Sequence, residues 1–180
     1  MTGEDSHVEV TAEPFDSPDA TRLVAAAQAE LRRRYGPGPH DTVPADRAAT
    51  ADAAHQLHRP LTAAEFAAPG GTFLVARLGG SAVGCGGLRA LWPTTAEIKR
   101  LYVRDEHRGR GIARRLMDEL EAAAPGLGHH HLVLETGELQ PEAIALYDSS
   151  GWTRIPPYFG EARHDRSVYF EKWLPAAGPT

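Results

Sequence analysis

Between Arg100 and Arg115 the chain reads RLYVRDEHRGRGIARR, with arginines at 100, 104, 108, 110, 114 and 115 and glycines at 109 and 111. An apolar strand ending, Leu101-Tyr102-Val103, runs through a turn into a helical pattern of Ile112, Leu116 and Leu120, with Ala113, Met117 and Ala124 beside them. A glycine turn that opens a helix leaves the first backbone N–H groups unpaired and aimed at one point. The helix dipole adds partial positive charge there, so the turn is suited to hold phosphate. Six arginines in so short a window of a chain with a formal net charge of −5 mark a local polyanion site. They argue against a general nucleic-acid surface, which needs basic charge spread along a face.

Two common phosphate loops do not fit. No Gly-Lys-Ser/Thr follows the glycines, so a P-loop is excluded. Gly109-x-Gly111 lacks the third glycine of a dinucleotide fingerprint, and Gly84-Cys85-Gly86-Gly87 misses the required spacing because position 89 is Arg. That second cluster reads as strand backbone closely approached by a neighbour or ligand. What fits is Arg108-x-x-Gly111-x-Ala113 after a strand ending in Leu-Tyr-Val. Downstream, Leu132-Val133-Leu134-Glu135-Thr136 is a short strand. After it come Gln140-Pro141-Glu142-Ala143-Ile144-Ala145-Leu146-Tyr147 and then Gly151-Trp152. In this order, from about Ala82 to Lys172, the segments resemble the GNAT superfamily of acyl-CoA-dependent N-acyltransferases. Ala143, Leu146, Tyr147, Gly151 and Trp152 stand at the family's second-half positions.

The resemblance implies an α/β (α+β) fold. Its core would be a central mixed, mostly antiparallel twisted sheet of about six to seven strands flanked by helices, split between the cofactor strand and the next. It implies acetyl-CoA as co-substrate, with Leu101, Tyr102 and Val103 offering backbone to the pantetheine arm. Gly109, Gly111, Ile112 and Ala113 would take the pyrophosphate, with Arg108, Arg110 and Arg114 supplying charge. Gln140 stands where many members carry an asparagine against the pantetheine, which weakens that contact. Tyr147 would touch the cofactor sulfur and protonate the leaving thiolate; a phenol with a pKa near about 10 is protonated at neutral pH. A general base must take the amine's proton. Glu135, twelve residues before Tyr147, and Glu97, near the start of the cofactor strand, are both open for that role. Transfer by direct attack in a ternary complex is implied, because no nucleophile with a paired base is evident.

The elements that must position these groups read from periodicity and punctuation. A strand is expected at Val8–Thr11 and a helix from an Asp19 cap through Leu23, Ala27 and Leu31 to Tyr35, stopped by Gly36-Pro37-Gly38-Pro39. Strands are expected at Thr72–Leu78, Ala82–Leu91, Thr95–Val103, His131–Glu135, Trp152–Ile155 and Ser167–Trp173. Helices are expected over Gly111–Ala124 and over Pro141–Ser150, where proline suits the first turn. Residues 40–71 read as either an insertion over the substrate side or a mobile loop, with helix candidates at Ala45–His58 and Ala63–Ala67. A single domain is expected over 1–174, with a frayed tail at 175–180.

Composition bounds the partners. One cysteine, Cys85, excludes an internal disulfide and suits the cytoplasm; in an apolar strand pattern it reads as inert packing. No apolar run approaches the roughly 20 residues of a membrane span, and the acidic MTGEDSHVEV start is not a signal peptide. His129-His130-His131 alternate in direction with no Cys or carboxylate cluster beside them, so no metal site is expected; His107, before the loop, reads as exposed. The Pro156-Pro157-Tyr158-Phe159 run is placed either to wall the acceptor pocket or to pack on the surface. Two carboxylates in an acidic chain lean toward a small cationic amine as acceptor, with no nucleic acid or membrane partner. A protein N-terminus or lysine as acceptor, and a noncatalytic acyl-CoA sensor on the same fold, stay open. So does homodimerisation, common in the family but not decided by these residues.

Overall fold

The computed structural model describes residues 7–36, 60–159 and 166–175. Alternation of side chains along each strand sorts the sheet into two apolar faces. In β2 (Thr72–Leu78), Leu74 and Ala76 join one core cluster while Phe73 and Val75 join the other. The strands β1 (Val8–Ala12), β2, β3 (Ser81–Trp92), β4 (Thr95–Val103), β5 (His131–Gly137), β6 (Thr153–Ile155) and β7 (Ser167–Trp173) form one sheet, ordered β1-β2-β3-β4-β5-β7-β6. Every adjacent pair is antiparallel except β4–β5, which is parallel. A parallel pair needs a crossover, and the helix after β4 supplies it.

Three helices of more than one turn are described. α1 (Pro18–Tyr35) covers one face, with Ala20 and Leu23 packed among Phe66, Phe73, Val75 and Cys85. α2 (Ile112–Ala123) covers the other, sinking Ile112, Leu116, Met117 and Leu120 against Ile98, Leu132 and Leu134. Burying each such side chain stabilises the chain by about 1.5–3 kcal/mol. α3 (Pro141–Asp148) lies on the α2 side, its Tyr147 in the same cluster.

Most expected boundaries hold within a residue or two. The α1 cap is Ser17, not Asp19: its hydroxyl accepts from the Ala20 amide at 3.2 Å, and proline sits in the first turn. Asp19 instead pairs with Arg77 and Arg22. The Ala63–Ala67 candidate is one turn of 3₁₀-helix, Ala63–Phe66, closed by a Thr62–Glu65 capping box. His107 is half-buried rather than exposed. The glycine cluster in β3 behaves as expected. A Cβ on Gly87 would stand 2.5 Å from the Phe66 ring and 2.7 Å from Phe73, and one on Gly84 would stand 2.9 Å from the Tyr102 carbonyl. The Ala45–His58 candidate, most of segment 40–71 and the tail beyond 175 lie outside the described residues.

Candidate active site

The site begins with a fault in the sheet. β4 and β5 pair only from Thr95↔His131 to Ile98↔Leu134. Beyond that point β4 runs on through Lys99–Val103 bonded to β3, and β5 runs on through Glu135–Gly137 bonded to β7. Their facing edges share no ladder there. The cause is local: Arg100 adopts a left-handed φ of 60°, and the β3–β4 register slips between Cys85 and Gly87. Such a bulge bends its strand and strengthens the twist. It opens a wedge whose vertex is the Ile98–Leu134 rung, with the main-chain groups of Leu101, Tyr102 and Val103 along one side.

At the wide end lies the glycine turn. Gly109 and Gly111 have φ of 73° and 77°, and a Cβ added to either would meet nothing within 4 Å. The left-handed backbone, not crowding, is what asks for glycine there. Gly111 caps α2 with no side-chain cap and no acidic residue in the first turn. The first helical bond runs from the Arg115 amide to the Gly111 carbonyl at 3.0 Å, so the amides of Ile112, Ala113 and Arg114 have no partner within the helix. This fits a diphosphate.

The arginines divide by task. Arg108 turns inward. Its Nε donates to the Val103 carbonyl at 3.0 Å, and its terminal nitrogens meet Glu30 at 2.6 Å and Asp105 at 2.8 Å, with the guanidinium 5.8 Å from the Tyr102 ring centre. Burial disfavours its charge, but Glu30 outweighs that and holds the pKa above its ordinary value. Arg114 donates to the hydroxyls of Ser149 and Ser150, tying α2 to the end of α3, and Arg115 pairs with Glu119. Arg110 is exposed. Gln140 caps α3, its carbonyl accepting from the Ala143 and Ile144 amides.

Period-2 alternation puts the titratable candidates on opposite faces. Ala96, Ile98, Leu132 and Leu134 pack toward α2; Glu97, Lys99 and Glu135 point to the other face. Glu97 is wholly buried. Its Oε2 accepts from Arg89 at 2.9 and 2.6 Å, and its Oε1 meets Lys99 at 2.8 Å and the Tyr158 hydroxyl. Glu135 follows the last residue of β5 that pairs with β4. Its Oε1 accepts from the Ser167 hydroxyl at 2.6 Å and lies 3.4 Å from the Tyr169 hydroxyl; its Oε2 faces Lys99 at 3.8 Å. Tyr147 stands on the α2 face, its ring 5.2 Å from Phe170 and 6.1 Å from Trp152. Burial pushes its phenol well above the ordinary range, so it stays protonated.

Sequence reasoning missed Arg89, Lys99, Glu65 and Ser167. Polar residues at odd positions of apolar strands were the available signal, since a buried charge demands a partner. In the aromatic run, Tyr158 packs on Trp92, Phe159 and Tyr169, and its hydroxyl meets Glu97. The three histidines diverge. His129 Nε2 lies 3.0 Å from the Gly70 carbonyl, while His131 stacks on Trp173 between Thr95 and Glu171. Among the described residues no group of three His, Cys, Asp or Glu is arranged to hold a metal, and no helix is long and apolar enough to cross a membrane. Cys85 is buried, its Sγ donating to the Arg100 carbonyl, and burial pushes the thiol up to about 12.

Comparison with known proteins agrees with this architecture. The model of the acetyltransferase (GNAT) family matches residues 26–152. An IAA acetyltransferase from Azospirillum brasilense is 37% identical over 110 residues, which span 61% of this chain and 72% of that protein. A Klebsiella pneumoniae structure assigned as an acyl-CoA N-acyltransferase superposes with a TM-score of 0.70 at 26% identity, covering 94% of this chain and 99% of the other. A GNAT acetyltransferase from Elizabethkingia anophelis, solved with acetyl-CoA bound, shares the fold at a TM-score of 0.60 and 16% identity, over 95% of this chain and all of that one. A split sheet with a glycine-capped crossover helix at its mouth, found in a chain that the family model matches over most of its length, makes this protein a member of the GNAT family and an acyl-CoA-dependent acetyltransferase.

Proposed function

We propose that this chain moves an acetyl group from acetyl-CoA to the primary amine of a small cationic molecule, by direct attack in a ternary complex. One observation carries the proposal: Glu135 adjoins the vertex of the split on the α1 face, while Tyr147 stands in the core of the opposite face. A base and an acid on opposite sides of one gap suit a nucleophile that enters from one face while the leaving group departs toward the other.

In this mechanism the amides of Gly109, Gly111, Ile112 and Ala113 hold the diphosphate, with Arg110 and Arg114 nearby and Arg108 bracing the loop. Main-chain groups of Leu101–Val103 pair with the pantetheine arm, which Gln140 flanks. Glu135 takes one proton from the acceptor ammonium and passes it to solvent; the amine nitrogen bonds to the acetyl carbon, gives its second proton to Glu135, and the carbon–sulfur bond then breaks. Tyr147 protonates the departing thiolate and recovers its own proton from solvent. A backbone N–H of β4 stabilises the transient oxyanion. Between the two carboxylates, Glu135 is the better base. Glu97 is sealed among Arg89, Lys99 and Tyr158, which makes it the anchor of the site.

The acceptor class rests on local charge. Among the described residues the carboxylates of Glu65, Glu97 and Glu135 gather with Arg89 and Lys99 around the vertex, a charged setting that, in an acidic chain, suits a cationic amine. A small molecule also accords with the IAA acetyltransferase relative. Residues 1–174 then act as one catalytic domain, and the lone cysteine suits a cytoplasmic setting. The test is release of free thiol from acetyl-CoA against a panel of small amines and lysine peptides, for wild type and Tyr147→Phe. Turnover with small amines that collapses in the variant supports the proposal. Turnover with peptides alone moves the acceptor to protein, and coenzyme binding without turnover favours a sensor.

A further inference from the structure

The two sides of the split end in two lips: the loop Arg104–Gly111 after β4, and the segment Glu138–Gln140 between β5 and α3. Neither is bonded to the other through the sheet. Both are bonded to the last turn and a half of α1. Glu30 accepts from Arg108 of the first lip at 2.6 Å. One turn on, Arg34 pairs with Glu30 at 2.6 Å, donates to the Leu139 carbonyl of the second lip at 2.8 Å and pairs with Glu142 of α3. The Tyr35 hydroxyl accepts from the Leu139 amide at 2.9 Å. Both main-chain groups of Leu139 are therefore held by consecutive side chains of one helix. The approach is close: a Cβ on Gly137 would stand 2.0 Å from the Tyr35 hydroxyl oxygen.

We propose that Arg34 and Tyr35 are positioning residues that set the gap between the two lips, and through it the affinity for coenzyme A, without contacting the reacting atoms. The physical case is preorganisation. Surface loops are mobile unless tied, and a ligand that must itself order two loops loses affinity to that ordering. A side-chain strap across the mouth removes the motion before the ligand arrives. Each ion pair is partly exposed and weak alone, but Arg34 joins Glu30, Leu139 and Glu142 at once, so its substitution loosens the second lip and leaves the Tyr35 bond to the Leu139 amide as the remaining tie to α1. The inference rests on the reading that coenzyme A lies in the split.

Calorimetric titration with coenzyme A itself, for wild type, Tyr35→Phe and Arg34→Met, tests it. Tyr35→Phe removes a single hydroxyl and should weaken binding about threefold to fivefold; Arg34→Met should weaken it roughly tenfold or more, with Arg34→Lys recovering part of the loss. In turnover the KM for acetyl-CoA rises in step while kcat and the acceptor KM hold, and hydrogen exchange at the Leu139 amide accelerates. A folded Tyr35→Phe with wild-type affinity and unchanged Leu139 exchange overturns the inference and leaves the reading of the site intact. Wild type that fails to bind coenzyme A overturns both.

Discussion

Arg89 grips one oxygen of Glu97 with two nitrogens, at 2.9 and 2.6 Å, across adjacent strands whose Cα atoms are in register at these two residues. Neither charge faces water to any extent: the side chains are 7% and 0% exposed. Burying such a pair is tolerated because Glu65, Lys99 and Tyr158 complete the network. Removing one partner strands the other. Glu97→Gln should destabilise the fold by about 3 kcal/mol, a Tm drop of roughly 6–12 °C, readable by calorimetry. A Tm within a degree of wild type would contradict the anchoring role.

Glu135→Gln should behave differently. Its carboxylate lies beside the vertex, taking hydrogen bonds from the Ser167 and Tyr169 hydroxyls that a glutamine oxygen can also accept, so the variant should fold normally while kcat falls about 100-fold or more, the range of general-base losses. A larger kcat loss in Glu97→Gln than in Glu135→Gln, at temperatures where both are folded, would reverse the assignment.

Tyr147→Phe should lower kcat about 100-fold with coenzyme affinity nearly unchanged. The ring packing on Phe170 and Trp152 survives the loss of the hydroxyl, so Tm should move by less than a few degrees. Rates equal to wild type would leave the phenol as packing alone.

Acid should loosen the strap across the lips. Burial of Glu30 and Glu142 works toward a higher pKa, but Arg108 for Glu30 and Arg34 for Glu142 outweigh it and hold both below the ordinary 4.5. A carboxylate with a depressed folded pKa adds stability above its unfolded value, and that stability is lost as pH falls through the folded one. The stability difference between wild type and Glu30→Gln should hold at neutral pH and shrink below about 4.5. The groups facing Glu30 are Arg34, Arg108 and Tyr102, none of which loses its proton there. A difference that grows on acidification would refute the sign.

Gly87→Ala tests the floor of the sheet. Its new methyl would press on the Phe66 and Phe73 rings, whose edges are themselves fixed by contact with Phe15. The expected cost is about 1–3 kcal/mol, measurable by denaturant unfolding. Native Cys85, with its thiol pushed up to about 12, should resist alkylation until the chain unfolds.

Local chemistry determined much of this protein from sequence alone. Thr72–Leu78, Thr95–Val103 and Ser167–Trp173 are runs of β-type residues whose limits were readable to the residue. Gly109 and Gly111 announced a left-handed turn at the start of a helix, because only glycine adopts that backbone at no cost. What sequence could not decide is what meets across the fold. That Arg108 meets Glu30, 78 residues away, could not be read from the loop that carries it. Glu97 and Glu135 looked equivalent until the β3 and β7 neighbours sealed one behind Arg89 and left the other at the vertex. Periodicity tells which face a side chain takes, because that depends on its own strand. Its partner depends on strand order, register and the bulge at Arg100, and these exist only once the sheet has closed.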